Sequence, residues 1–478
     1  MKPIYLIARS EWQYWLRTRL ILGGAFIFLV LITASSLFTA LHIKAENYAR
    51  TTQQAKAEQT FLAQPDRHPH RMVHYGHYVF RTPAPLAQFD PGLDTVTGQS
   101  IFLEGHRQNT VMFPESSVSA NLGGLSQLNP ALIYQVFAPL MIILLGYNSI
   151  GREREAVVLA PILALGVTSR MLIAGKALAL LSFMLLMLTP LIVSSVMALV
   201  DSDALITLLT LFGVYFVYLA IWIALTLLMA ILFKKSSTVL AAMTGLWFLF
   251  SLVLPSIAVN AASSSSPISG KLETDLAMLK DIRKLGNGHN ANDPAFQKVR
   301  ENILAKYKVE KIEELPINFR GIVMMEGEKK LTKVLNQYAE KRMEAEVKQE
   351  KLISDYGWLT PTIATAFASR SIAGTDLANY HRFQKEAEVL RYKFIQGLNR
   401  THIEKLSYEY DINRNKDKDS SQRARVDASH WQVLEKFQFR TEKLSLRIER
   451  AYSFIQILLV WLIGAFSLLI WRSERIQA

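Results

Sequence analysis

Charge is absent from six long stretches of this 478-residue chain: 20–43, 116–151, 177–200, 204–233, 236–270 and 451–471. A helix needs about 20 apolar residues to cross the hydrocarbon core of a bilayer. Backbone N–H and C=O groups find no water there, so runs of that length must close their own hydrogen bonds as helices. Six spans follow, at roughly 20–41, 131–150, 172–199, 204–232, 238–259 and 451–471. The polar residues are equally concentrated: 271–450 carries 34 of the 53 Lys and Arg and 27 of the 40 Asp and Glu. Sorting into such blocks excludes a single soluble domain, and it also excludes a bare bundle of membrane helices. The expected fold is predominantly α, a six-span transmembrane helical domain with a large helical extracytoplasmic domain.

Charge also orients the chain. With the N-terminus in the cytoplasm, the cytoplasmic segments are 1–19, 151–171, 233–237 and 472–478, with Lys176 at a helix start. They hold 12 Lys and Arg against 4 Asp and Glu, and the other side holds 41 against 36. Short cytoplasmic loops rich in Lys and Arg are the rule, so both termini are expected in the cytoplasm. All ten histidines then lie outside, His42 at the boundary. The formal net charge of +13 is thus largely an orientation signal, not a nucleic-acid surface. The first apolar run spans 24 residues after a 19-residue leader, longer than the hydrophobic region of a signal peptide. With no cysteine, disulfides and thiol chemistry are excluded.

Between the spans the chain divides further. Residues 1–19 read as an amphipathic interfacial helix, with Arg9, Arg17 and Arg19 at the headgroups; plain Trp and Arg anchoring is the rival reading. Residues 42–130 form the first outer loop, helical to about Gln64 and then rich in turn formers, with Tyr78–Phe80 and Ser100–Leu103 as small strands. Residues 260–450 form the second outer region. Helical patterns fall near 271–285, 293–312, 322–354, 379–410 and 428–450, the last running unbroken into the sixth span. The polar segment 411–427 reads as a mobile loop. Residues 356–369 are uncharged but too short to span. They fit a segment resting on the membrane surface or packed against a partner, or else a core helix of the polar domain. Asp201 and Asp203 sit in the short loop between the third and fourth spans.

No catalytic constellation stands out. GxxxxGK(S/T) is absent: Arg170 occupies the first glycine position before Gly175-Lys176, and Ala177 follows the lysine. There is no HExxH or GxSxG. The fourth and fifth spans hold no ionisable residue, which argues against ion-coupled transport. The loop after the second span is the informative segment. It opens with Gly151-Arg152-Glu153-Arg154-Glu155, continues through apolar residues including Leu159 to Gly166, and closes with Ser169-Arg170 and Gly175-Lys176. In this it resembles the permease subunit of ABC-2 type transporters, whose loop carries E-R-E-x-G-T-L, an apolar stretch, Ser-Arg and Gly-Lys. Val157 and Val158 stand where that family has Gly-Thr. Residues 74–109 and 373–399 are similar to a large-ectodomain bacterial subgroup with an uncharacterised shared domain.

The resemblance implies a multi-pass permease of the bacterial inner membrane, working as a homodimer or with a homologous permease. It implies no enzymatic activity in the chain itself. ATP and Mg would be bound by a separate ATPase subunit, contacted through Arg152, Glu153, Arg154, Glu155, Leu159, Ser169, Arg170 and Lys176. Export of an apolar or amphipathic substrate is the leading expectation. The alternative is a mechanotransmitter that drives a periplasmic partner without passing cargo. A periplasmic accessory protein is a further expected partner; nucleic acid is not.

The outer candidates each have two readings. His68, His70, His74 and His77 are close enough in sequence to bind Cu or Zn, but no carboxylate or thiol accompanies them, so packing and hydrogen bonding are favoured. Asp90-Pro91-Gly92 reads as a turn whose carboxylate caps its own backbone. Glu104 and His106 are candidates to pair with Arg107 or Arg81. Asp376 reads as an N-cap for a helix from Leu377. On that helix, Glu388 and Arg391 suit a surface ion pair, with His381 nearby. A grip on cargo or on an accessory protein is the sharper reading of the same residues.

Overall fold

The computed structural model describes residues 2–112, 128–196 and 204–474. The loop holding Asp201 and Asp203, part of the first outer loop (113–127) and the last four residues lie outside the described residues. The fold is predominantly α. Among the described residues, six helices are long and apolar enough to cross a membrane. A short helix α1 (Lys2–Arg17) precedes them. The six are α2 (Leu20–Leu62), α4 (Pro130–Glu155), α6 (Ser169–Val196), α7 (Ala204–Leu232), α8 (Ser236–Ser265) and α16 (Leu444–Ser473). Between them lie α3 (Pro69–Tyr75) and α5 (Leu159–Ala164). The polar region adds α9 (Lys271–Ile282), α10 (Gln297–Tyr307), α11 (Phe319–Asp355), α12 (Pro361–Ala373), α13 (Leu377–Lys405), α14 (Tyr408–Asn413) and α15 (Lys418–Arg423).

The first span overruns its apolar run. At 1.5 Å per residue the 43 residues of α2 reach about 65 Å, twice a hydrocarbon core. Its distal half enters the polar domain, where Phe61 is buried with Val79, Leu103, Phe383, Phe394 and Trp431. The loop after the first span and the polar region 271–443 therefore share one core and form one body. Strands β1 (His77–Phe80) and β2 (Ser100–Leu103) pair antiparallel on it, His77 opposite Leu103.

Membrane prolines shape the bundle. Pro139 and Pro255 each follow a widened π turn, at Ile133–Phe137 and Leu249–Val253. A proline has no N–H for the carbonyl four residues back, so carbonyls in that turn need other donors. Tyr218 Oη donates to Gln135 O at 2.6 Å and Trp247 Nε1 to Val136 O at 2.8 Å. Thr360 Oγ1 serves Phe250 O at 2.9 Å. In α6, Pro190 frees the carbonyl of Leu186, which accepts from Thr189 Oγ1 at 2.8 Å. The prolines thus create polar docking points between helices.

One of those points seats α12. The uncharged residues 361–369 form most of this helix, which is buried against α7 and α16, in the core of the bundle and not of the polar body, with Ala364, Ala368 and Ala373 allowing close approach. Gly374 ends it in the left-handed conformation at φ 74°. Arg447 of α16 donates to its last turn, at Ile372 O, 2.6 Å away. The bundle and the polar body therefore interlock through α12.

Two expectations change. Residues 428–443 are not helical: a 3-10 turn (Ala428–Val433) leads into an extended segment, and α16 begins at Leu444. Phe437 and Phe439 are buried there while Lys436, Gln438 and Arg440 face outward, the two-residue alternation of an extended chain. The 411–427 segment contains α14 and α15, and Asp411 is completely buried.

Candidate functional site

The short basic segments gather at one end of the bundle. The loop between α4 and α6 is held there from beneath by α1. Gly175 is where α1 crosses α6: a Cβ there would sit 2.6 Å from Ile7. The next residue, Lys176, is buried, and its Nζ lies 2.7 Å from Glu11 Oε1 and bonds Glu153 as well. Arg152 joins the same carboxylate at 2.6 Å and stacks 3.8 Å above the Tyr14 ring. Two cations thus share two buried carboxylates, which makes this junction costly to open.

The two remaining charges of the motif fasten helix ends. Arg154 Nη1 donates to Phe233 O at 3.0 Å and Ala230 O at 3.3 Å, at the C-terminal, electronegative end of α7. Glu155 Oε1 accepts from Ser236 N at 2.8 Å, at the electropositive start of α8. Leu159 is buried, Ser169 is half-buried, and exposed Arg170 pairs with Glu474. Of the motif residues, Glu153, Leu159 and Lys176 are turned inward.

What the loop presents outward is apolar. Val157 is 78% exposed and Leu165 84%, with Val158, Ala160 and Pro161 between them also exposed. Val157 holds a left-handed turn at φ 56°, an unfavourable conformation for a β-branched residue. An unpartnered apolar ridge on a rigid charged base suits a partner's hydrophobic groove.

At the opposite end, the polar body gathers several of the singled-out residues around one that sequence reading missed, Glu328 on α11. Arg391 clasps Glu388 through Nε and Nη2, both at 2.8 Å, and reaches Glu328 Oε1 with Nη1 at 2.5 Å. It also donates to Thr332 Oγ1 at 2.8 Å and Glu104 O at 3.3 Å. His106 meets Glu328 Oε2 with both its backbone N and its Nδ1, each at 3.1 Å. Burial pushes the Glu328 carboxyl up, but the His106 hydrogen bond and the Arg391 charge outweigh it and hold it at about 2. The expected surface pair Glu388–Arg391 is thus a buried one. Arg107 stays at the surface, 3.4 Å from Glu104.

Other candidates join helices. Asp90 Oδ1 caps Gly92 N at 3.1 Å, and its Oδ2 accepts from Ser369 of α12 at 2.5 Å. Ser369 in turn accepts from Tyr215 Oη of α7 at 3.0 Å. Complete burial raises the Asp90 carboxyl above the ordinary range. Asp376 caps α13 through Asn379 N at 3.1 Å and binds Arg450 of α16 at 2.7 Å. His381 Nε2 lies 2.7 Å from Glu346 Oε2. Arg81 pairs with Asp94 at 3.2 Å rather than with Glu104.

The histidines separate into three places. His68 joins His402 around Asp411, at 3.0 and 2.8 Å, with Arg414 at 2.8 Å and Asn318 at 3.2 Å. Burial pushes the Asp411 carboxyl up, but the hydrogen bonds and charges of His402 and His68 outweigh it and hold it far below the usual carboxylate range. His77 is buried beside Gln54, at 3.4 Å, and the edge of Phe61. His70 and His74 instead meet His106 and, from the α9–α10 loop, His289. His289 carried no signal in the sequence, since it lies 183 residues beyond His106 in a Gly/Asn-rich loop.

Residues 271–440 match the family model of a domain of unknown function, DUF3526. That region contains His289, Glu328, Arg391 and Asp411, but neither the membrane loop at 151–176 nor α3. No curated protein sequence matches the chain.

Proposed function

We propose that the chain is the permease subunit of an ATP-driven ABC-2 type exporter of the bacterial inner membrane, with both termini cytoplasmic and the polar body periplasmic. The carrying observation is the ridge Val157–Leu165, raised on the Glu11–Lys176–Glu153–Arg152 junction at the basic end of the bundle. A partner ATPase that binds Mg and ATP would take the apolar ridge into a groove and press on the base. Since Lys176 and Glu11 join α6 to α1, and Arg154 and Glu155 hold the ends of α7 and α8, a push on the loop reaches four helices at once. Two permease copies, or this one and a homologue, would enclose the path. The apolar composition of the six helices suits an apolar or amphipathic substrate.

A second reading is favoured by α12 and α16. Helix α16 runs unbroken from the polar body through the bundle, and Arg447 and Arg450 bind Ile372 O and Asp376. Motion of the bundle would be transmitted to the polar body without cargo crossing, to act on a periplasmic partner.

The proposal expects an ATPase gene adjacent to this one, and co-expression with its product is the test. The wild-type chain should co-purify with it and raise its ATP hydrolysis in nanodiscs. Leu165→Asp with Val157→Asp should abolish co-purification while leaving the thermal stability of the permease intact. Equal ATPase recovery with that variant would sink the reading. Given coupling, substrate-stimulated hydrolysis separates export from mechanotransmission.

A further inference from the structure

Four imidazoles meet at the edge of the polar body, from three separate pieces of chain. His70 and His74 stand four residues apart on α3, the spacing that puts two ligands on one helical face. His106 follows β2, and His289 comes from the α9–α10 loop. Each offers one ring nitrogen, and these four nitrogens all lie within 4.8 Å of one another. One pair, His70 Nε2 and His74 Nε2, is 3.1 Å apart. Around a tetrahedral Zn(II) with Zn–N bonds of about 2.0–2.1 Å, ligand nitrogens sit roughly 3.3 Å from each other. A set of nitrogens within 4.8 Å of one another is near that spacing.

We propose that His70, His74, His106 and His289 form a Zn(II) site, with Glu328 orienting His106. Three features point to a built site rather than a chance cluster. Glu328 is fully buried and binds Nδ1 of His106 at 3.1 Å, leaving Nε2 for a metal; that Nε2 is buried without a hydrogen-bond partner. A carboxylate behind a ligating histidine fixes the tautomer and raises the basicity of the free nitrogen. His106 holds a left-handed backbone at φ 67°, a conformation that costs a non-glycine residue energy and aims its ring into the cluster. The His289 loop approaches α11 through paired glycines: a Cβ at Gly327 would lie 3.1 Å from the Gly288 Cα. A side chain at Gly327 would press the His289 loop away from α11, where Glu328 is the next residue.

The donor set also selects the ion. Four neutral nitrogens with no ligating carboxylate do not suit Ca(II) or Mg(II), which require oxygen. Without thiolate or thioether the site does not favour Cu(I). Borderline Zn(II), content with four nitrogen ligands in a tetrahedron, fits best. Bound metal would staple the α9–α10 loop to α3 and the segment after β2. The assignment stands independently of the transport reading.

The test uses the full chain in detergent, carrying no histidine tag, stripped with chelator and titrated with Zn(II) against a chromophoric competitor. One Zn(II) per chain is expected, and Co(II) should give the visible spectrum of a four-coordinate site. His74 and His289 are exposed, so His74→Ala and His289→Ala should fold normally; each should weaken Zn(II) binding at least tenfold. The double variant should bind none stoichiometrically and lose the rise in melting temperature that Zn(II) gives the wild type. His42→Ala, remote on α2, should bind as the wild type does. Absence of stoichiometric Zn(II) binding to the wild type, or unchanged binding in the double variant, would overturn the site.

Discussion

Lys176 and Glu11 are 165 residues apart in sequence and 2.7 Å apart in the fold, both buried where α1 crosses α6. Removing one member of a buried ion pair strands the other, typically at about 3–5 kcal/mol. Lys176→Met should therefore lower the melting temperature of the detergent-solubilised chain sharply, since Glu11 and Glu153 then share only Arg152. Glu11→Gln alone should also destabilise. The double variant should lose clearly less than the sum, because its partners are removed together. Additive losses in that double-mutant cycle would mean that the two residues do not act as a pair.

The loop they support separates structure from contact. Glu155→Ala removes the acceptor at the start of α8 and should reduce thermal stability modestly. Leu165→Ala, on an exposed side chain without packing partners to lose, should stay within about 0.5 kcal/mol of the wild type. Differential scanning fluorimetry on the two variants checks this. A Leu165→Ala chain less stable than Glu155→Ala would show that the ridge is packed and not presented.

Arg391 is the hub of the polar body, joining α13 to α11 and to the backbone of Glu104. Its planar fork meets two carboxylates and a hydroxyl at once, which a lysine ammonium cannot reproduce. Arg391→Lys should therefore cost nearly as much as Arg391→Met, about 3–5 kcal/mol each, because either leaves Glu328 and Glu388 buried without the fork. Limited proteolysis and thermal melts of the purified chain give the measure. A lysine variant as stable as the wild type would reduce Arg391 to a simple counter-charge.

How far the sequence anticipates these sites depends on range. The spans are legible because lipid forbids charge and open backbone over a fixed thickness. Local caps are legible too: Asp90 on Gly92 and Asp376 on Asn379 are set by neighbours two or three residues away. The helix expected over 428–450 begins only at Leu444, because Phe437 and Phe439 alternate with polar residues at the period of two of an extended chain. Glu328, Asp411 and His289 are not legible, since their defining partners lie far off in sequence, His106 for both Glu328 and His289, and His68 for Asp411. Burial of residues 356–369 is equally open in the sequence, because an uncharged 14-residue stretch suits a membrane surface and a core alike.

Glu350 on α11 carries a pH dependence whose sign is opposite to that of the buried histidines. Burial raises its carboxyl from the ordinary 4.5 to about 7; Asp376 reinforces that, while His381, Arg370 and Arg450 oppose it. A group titrating higher in the folded state contributes stability that is whole below its unfolded value and is lost as pH rises through the folded one. Glu350 therefore stabilises below pH 4.5 and loses that contribution on approach to pH 7, by at most about 3 kcal/mol before solvent screening. His68 and His77, each held down to about 4 mainly by burial, lose stability as pH falls from 6.5 to 4. The two effects overlap, so the wild-type profile alone hides Glu350. The difference between wild type and Glu350→Gln isolates it: the variant should be more stable than the wild type at pH 8, and the gap should close by pH 4.5. Melting temperatures of both chains at half-unit steps between those limits provide the measurement, and a gap independent of pH would place the Glu350 carboxyl in ordinary solvent.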